Sequence, residues 1–90
     1  MARSIRLLTR PGCTLCHEAL GRLRPWADRL GLTVVLEDIE DDRALTERYG
    51  FRIPVLLSER GAELAEGRIG SLGVAVAAIR ARLGRSGPPD

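Results

Sequence analysis

Lysine, asparagine and glutamine are absent from this sequence of 90 residues, so all fourteen basic side chains are arginines. The bias reads as that of a GC-rich genome, in preference to an arginine surface for anionic partners or a loss of heat-labile amides. One chemical consequence follows. Any cation beside a reactive group has to be an arginine or the single histidine, His17. Aromatic residues make up only 3%, and twelve acids interleave with the arginines to leave a formal net charge of +2. Without a basic block or stacking surfaces, the composition argues against nucleic-acid binding. No stretch approaches the ~18 apolar residues of a membrane span. The apolar run Ile5 to Leu8 is interrupted by Arg6 and is too short for a secretory signal. The expectation is a cytoplasmic protein with no membrane partner. Thiols stay reduced there, and the two cysteines are better read as catalytic or metal-binding than as structural.

Hydrophobic residues at 44% and charged ones at 29% suit a globular chain. Its length suits one domain, expected over residues 1–83 and followed by a flexible tail over 84–90. Ser4 to Thr9 reads as a strand. From Thr14 apolar residues recur at helical spacing as far as Leu30, with Gly31 as a stop and Pro25 predicted to kink or divide the helix. Leu32 to Leu36 predicts a strand buried on both faces. Asp41 or Asp42 can cap a short helix running to Tyr49. Val55 to Leu57 and Ala62 to Glu66 read as a hairpin around Glu59-Arg-Gly61. Ser71 to Leu83 predicts a last helix with Leu72, Val76, Ile79 and Leu83 on one face. The order β-α-β-α-β-β-α makes an α/β fold whose first two strands run parallel through a right-handed crossover.

The chemistry concentrates in Arg10-Pro-Gly-Cys13-Thr-Leu-Cys16-His17. Only a thiolate attacks a disulfide, so a leading cysteine needs its proton held loosely. A helix N-terminus favours negative charge at Cys13, and the three-residue spacing brings Cys16 back about one turn later. Cys16 there can resolve a mixed disulfide. A reduced pair with a purely packing role gains little at such an exposed turn. The same residues match a c-type haem attachment pattern, which requires export and a haem-sized pocket. A metal or iron–sulfur site needs three or four ligands, and a dimer can complete the count from Cys13, Cys16 and His17. A redox-inert interaction domain is a further alternative. His17 either tunes the sulfurs or points to solvent. Arg10 either steadies a thiolate and attracts an anionic thiol such as glutathione, or is a surface charge. Ile53-Pro54 is either an ordinary strand start or a cis proline offering the Ile53 backbone to an extended substrate. The acids from Glu37 to Asp42 suit a solvated loop and helix cap more than a cation site.

Leu8-Thr-Arg-Pro-Gly-Cys13-Thr-Leu-Cys16, Glu37-Asp-Ile and Tyr49-Gly-Phe-Arg-Ile-Pro54-Val-Leu together resemble the glutaredoxin branch of the thioredoxin superfamily, in particular its short bacterial members. The resemblance covers about residues 4–83. It implies a four-stranded mixed sheet of order 2-1-3-4 flanked by three helices. It further implies thiol–disulfide exchange with Cys13 as nucleophile, Cys16 as resolving thiol and Pro54 as the cis proline beside them. Ile53 would then offer backbone hydrogen bonds to a bound peptide or to glutathione. No cofactor is implied beyond glutathione as a co-substrate. The implied partners are disulfide-bearing proteins or glutathione, with a reductase as electron donor. The chain departs from typical glutaredoxins by having Thr14-Leu15 between the cysteines. Gly67-Arg-Ile-Gly70-Ser71 lacks the acidic residue that holds the glutamyl end of glutathione, although the Gly70 and Ser71 amides can meet a carboxylate.

Overall fold

A computed structural model describes residues 3–84. Strand β1 (Ser4–Thr9) leads into α1 (Thr14–Leu30), β2 (Thr33–Asp38), a 3-10 turn (Ile39–Asp41) and α2 (Arg43–Tyr49). The hairpin β3 (Val55–Ser58) and β4 (Glu63–Glu66) follows, and α3 (Ser71–Leu83) closes the chain. The four strands form one mixed sheet in the order β2-β1-β3-β4. β1 pairs parallel with β2 and antiparallel with β3, which pairs antiparallel with β4. The expected α/β architecture and strand order are both present.

Alternation along β1 divides the core in two. Ile5 and Leu7 point to one face, where Leu23 and Ala27 of α1 and Val74, Ala77, Ala78 and Ala81 of α3 cover them. Leu8 points to the other face and packs with Ile39, Tyr49, Val55 and Leu57. Helices α1 and α3 share the first face. Arg82 Nε donates to the Leu30 carbonyl at 2.9 Å, and Arg22 donates to the Ile69 carbonyl at 3.3 Å.

Three sequence expectations need correcting. Helix α1 is not divided at Pro25, which lies inside one continuous helix on its exposed side. Pro25 cannot donate to the Gly21 carbonyl four residues back, and both residues lie on the exposed side, while Leu23 and Ala27 hold the buried side. Strand β2 is not buried on both faces. It is an edge strand, with Val35 37% and Leu36 50% exposed, because β1 and β3 occupy the centre. The face of α3 is also inverted. Leu72, Val76, Ile79 and Leu83 look outward, and the valine and alanines of the opposite face meet the sheet. Small side chains let α3 approach both the sheet and α1, where a row of leucines would hold it off.

Smaller features follow the expected chemistry. Asp42 caps α2 by accepting the amides of Ala44 at 2.9 Å and Leu45 at 3.2 Å. Gly50 follows α2 with a right-handed backbone, and a Cβ there would come within 2.6 Å of the Thr46 carbonyl oxygen. Gly84, expected to start the tail, instead ends α3 in a left-handed turn, its amide donating to the Arg80 and Ala81 carbonyls. The rest of that tail lies outside the described residues.

Candidate active site

The site begins where β1 ends. Pro11-Gly12 turns the chain, with Gly12 at φ +80°, a left-handed value open to glycine. The Cys13 amide closes the turn by donating to the Arg10 carbonyl at 3.3 Å. Cys13 then occupies the N-cap of α1 in extended conformation, and its Sγ accepts the Cys16 amide at 3.2 Å. A sulfur thus takes the place usually filled by a hydroxyl or carboxylate oxygen. No acidic side chain occupies the first turn of α1, so nothing there opposes negative charge at that sulfur.

Cys16 lies one helical turn further on, its Cα 5.2 Å from that of Cys13, and the two form a disulfide. Their surroundings differ. Cys16 is buried, at 2% exposed, whereas Cys13 is half-buried. The Cys13 sulfur is therefore the more accessible of the two from solvent.

Two grooves open on either side of Cys13, with Arg10, Gly12, Cys13 and Thr14 on the ridge between them. The first, of about 450 Å³, runs between Leu15 of α1 and the loop carrying Gly50, Phe51 and Ile53. The second, of about 460 Å³, opens beyond the end of β1 over Leu7, Leu20 and Leu36, with His17 at its side. Leu36 stands beside Leu7 in the parallel register, on the same face of the sheet. Among the described residues no carboxylate lines either groove. Among the described residues no hydrogen bond or ion pair engages the Arg10 guanidinium.

The loop along the first groove is anchored from behind. The Ile53–Pro54 peptide is cis, and Pro54 is buried. The Gly67 amide donates to the carbonyls of Arg52 at 3.2 Å and Pro54 at 2.8 Å. Arg52 bridges Glu66 and Glu63, reaching Glu63 Oε1 at 2.6 Å. Hydrogen bonds from Arg52 hold both carboxyls below the usual glutamate range. Tyr49 donates to Glu63 at 3.1 Å, and burial pushes its hydroxyl upward. None of these four side chains lines either groove, and their hydrogen bonds fix the loop that does.

Of the residues singled out from the sequence, Arg10, Cys13 and Ile53 line the first groove, with Pro54 next in the chain. Gly70 and Ser71 open α3 and line neither groove. His17 is exposed. The acidic run is distributed among structural tasks. Glu37 pairs with Arg6 through two hydrogen bonds of 2.7 and 2.8 Å, Asp38 caps the 3-10 turn, and Asp42 caps α2. Among the described residues no group of three or more His, Cys, Asp or Glu side chains is placed to hold a metal ion. No described helix is long and apolar enough to cross a membrane. The groove residues that escaped the sequence reading include Phe51 and Leu36. Phe51 had a usable signal, as the chain's single phenylalanine in a turn before a proline. Leu36 was hidden by its assignment to a buried strand.

The sequence profile of the Glutaredoxin-like domain (DUF836) matches residues 4–83. The chain belongs to this glutaredoxin-like family. Solved structures place the family in its wider setting. Protein Ne2328 from Nitrosomonas europaea is 27% identical, with a TM-score of 0.70 over 82% of this chain and 88% of its own. Protein XcR50 from X. campestris is 30% identical, with a TM-score of 0.61 over 79% and 89%. Thioredoxin 1 from Thermosipho africanus, at 16% identity and a TM-score of 0.59 over 90% and 94%, shares the thioredoxin fold with this glutaredoxin-like chain. No curated protein matches it.

Proposed function

We propose that the chain is a thiol–disulfide oxidoreductase acting on protein or glutathione disulfides. The observation that carries this reading is the unequal sulfur pair, with Cys13 half-exposed at a helix N-cap between two grooves and Cys16 buried behind it. The helix dipole and the Cys16 amide favour the anion at Cys13 once the disulfide is reduced.

The exchange then balances in two steps. The Cys13 thiolate attacks a substrate sulfur, forms a mixed disulfide and expels the other substrate sulfur as a thiolate, which takes up a proton. Cys16 loses its proton and attacks the Cys13 sulfur, releasing the second substrate thiol and forming the Cys13–Cys16 disulfide. The substrate gains two electrons and two protons, and the chain loses both. Two thiol equivalents from glutathione, or a thioredoxin-reductase-like donor, restore the dithiol by the reverse chemistry. Arg10 steers anionic substrates, and the Ile53 backbone lies along the first groove where an extended segment can pair with it. The Gly70 and Ser71 amides remain available for a substrate carboxylate outside the grooves. A cytoplasmic location, where thiol donors are abundant, suits this direction of exchange.

The test is turnover of hydroxyethyl disulfide with glutathione as donor. Cys13→Ser should abolish it. Cys16→Ser should accumulate a mixed disulfide, seen as the added mass of one half-substrate. A Cys13→Ser variant as fast as the parent would end this reading. So would freshly purified protein that carries a stoichiometric metal on its two thiols.

A further inference from the structure

We propose that the preferred substrate is a disulfide in an extended polypeptide that lies across both grooves, with an apolar side chain on each side of the reacting cysteine and acidic rather than basic neighbours. This rests on the exchange activity proposed above and selects one class among its disulfides.

The argument starts from two side chains in unusual positions. Phe51 is 107% exposed, so its ring makes no covering contact within the described chain. Leu36 is 50% exposed on the edge strand. Each stands on the wall of a different groove, and the grooves meet at Cys13. Apolar surface left in water at the rim of a reactive sulfur is what a partner's apolar side chains would cover. The walls are presented firmly. The Phe51 loop is tied down by Arg52 and by the Gly67 amide, and Leu36 sits in the β1–β2 ladder.

The shape of the site then separates the candidate substrates. Each groove, at about 450 or 460 Å³, accommodates one or two side chains. An extended segment advances about 3.3 Å per residue, so residues one or two positions either side of a substrate cysteine would reach both walls. Glutathione flanks its cysteine with glutamate and glycine and has no apolar side chain for either Phe51 or Leu36. Its glutamyl ammonium would also find no carboxylate among the described residues along either groove. Charge bears on the flanking residues of such a peptide. Among the described residues Arg10 stands on the shared ridge without an ion-pair partner and no acid lines either groove, so acidic residues near the substrate cysteine are favoured and lysines opposed.

Peptide disulfides test this, each formed from a short cysteine peptide and 2-mercaptoethanol. The set carries leucine before the cysteine, after it, on both sides or on neither, with aspartate or lysine one position further out. The reduced parent protein, in excess over peptide and with no other thiol present, should show the highest second-order rate constant on the doubly flanked aspartate peptide. The expected gain is roughly ten-fold for each leucine, and lysine should slow it several-fold. Phe51→Ser should erase the preference for leucine on one side, and Leu36→Thr the preference for leucine on the other, each read as a ratio to the leucine-free peptide. Both positions are solvent-exposed, and circular dichroism is the check that the variants fold. Equal rates across the peptides, both variants erasing the same side, or faster reduction of glutathione disulfide than of every peptide would overturn the proposal. A parent protein that reduces neither the peptides nor hydroxyethyl disulfide would instead overturn the exchange activity itself.

Discussion

The inverted face of α3 permits one substitution to be made twice with opposite expectations. Val74 is 0% exposed against the sheet, and Val76, two residues on, is 46% exposed. Val74→Ala removes two buried methyl groups and leaves a cavity, a loss of about 2.5 kcal/mol. Alanine returns about 0.5 kcal/mol through its better helix propensity, leaving a net cost near 2 kcal/mol. Val76→Ala loses only part of a transfer term and opens no cavity, which the same propensity gain offsets to within about 0.5 kcal/mol of zero. A chain of this size has roughly 5–13 kcal/mol to lose, so both variants should fold. Urea denaturation at equal m values should therefore lower the Val74→Ala midpoint by about 1–2 M and move the Val76→Ala midpoint by less than about 0.5 M. Equal shifts, or a larger one for Val76→Ala, would mean that the leucine-rich stripe is the packed face after all.

Two further outcomes concern stability. Glu37, Glu59, Glu63 and Glu66 ionise below their ordinary value of 4.5, held by Arg6, by the Arg3 and Ser4 groups, and by Arg52 respectively for the last two. The unfolded chain takes up these protons near pH 4.5 and the folded chain only at lower pH, so their contribution is complete above that value and lost as pH falls through the folded values. Urea midpoints should be level from pH 7 to 5 and drop towards pH 3, and Glu37→Gln should flatten the drop; stability that rises on acidification contradicts the pairing. Asp42→Ala, which frees the Ala44 and Leu45 amides at the start of α2, should cost about 1 kcal/mol in the same assay; a neutral result would show that water caps the helix equally well.

The order of elements was legible because it rests on local signals. Gly31 stops α1 with a left-handed cap, Asp42 starts α2, and Gly61 turns the β3–β4 hairpin at φ +95°. Each signal acts over a few residues, and the chain's local preferences agree with its fold at those points. The burial of β2 and the orientation of α3 depend instead on what lies opposite. An apolar run such as Leu32 to Leu36 reads the same for a central strand as for an edge strand. Only the pairing of β1 with β3 pushes it outward. Helix α3 carries just two charged residues, Arg80 and Arg82, and is apolar nearly all round. Side-chain size, rather than hydrophobicity, chose its inner face.

The same division runs through the site. Cys13 and Cys16 meet because a helix begins between a turn and a strand end, a matter of six or seven residues that any reading of the chain can find. The walls of the grooves come from residue 36 on the sheet edge and from residues 50–53, which no local rule places beside a sulfur at residue 13. Their arrival there follows from the crossover that sets β2 alongside β1 and from the pairing that sets β3 on its other side. Chemistry confined to a short motif can survive wide changes elsewhere, whereas the substrate preference proposed above would depend on those distant walls. Substitutions at residues 36 and 51 should therefore redirect the exchange among disulfides, and substitutions at residues 13 and 16 should stop it.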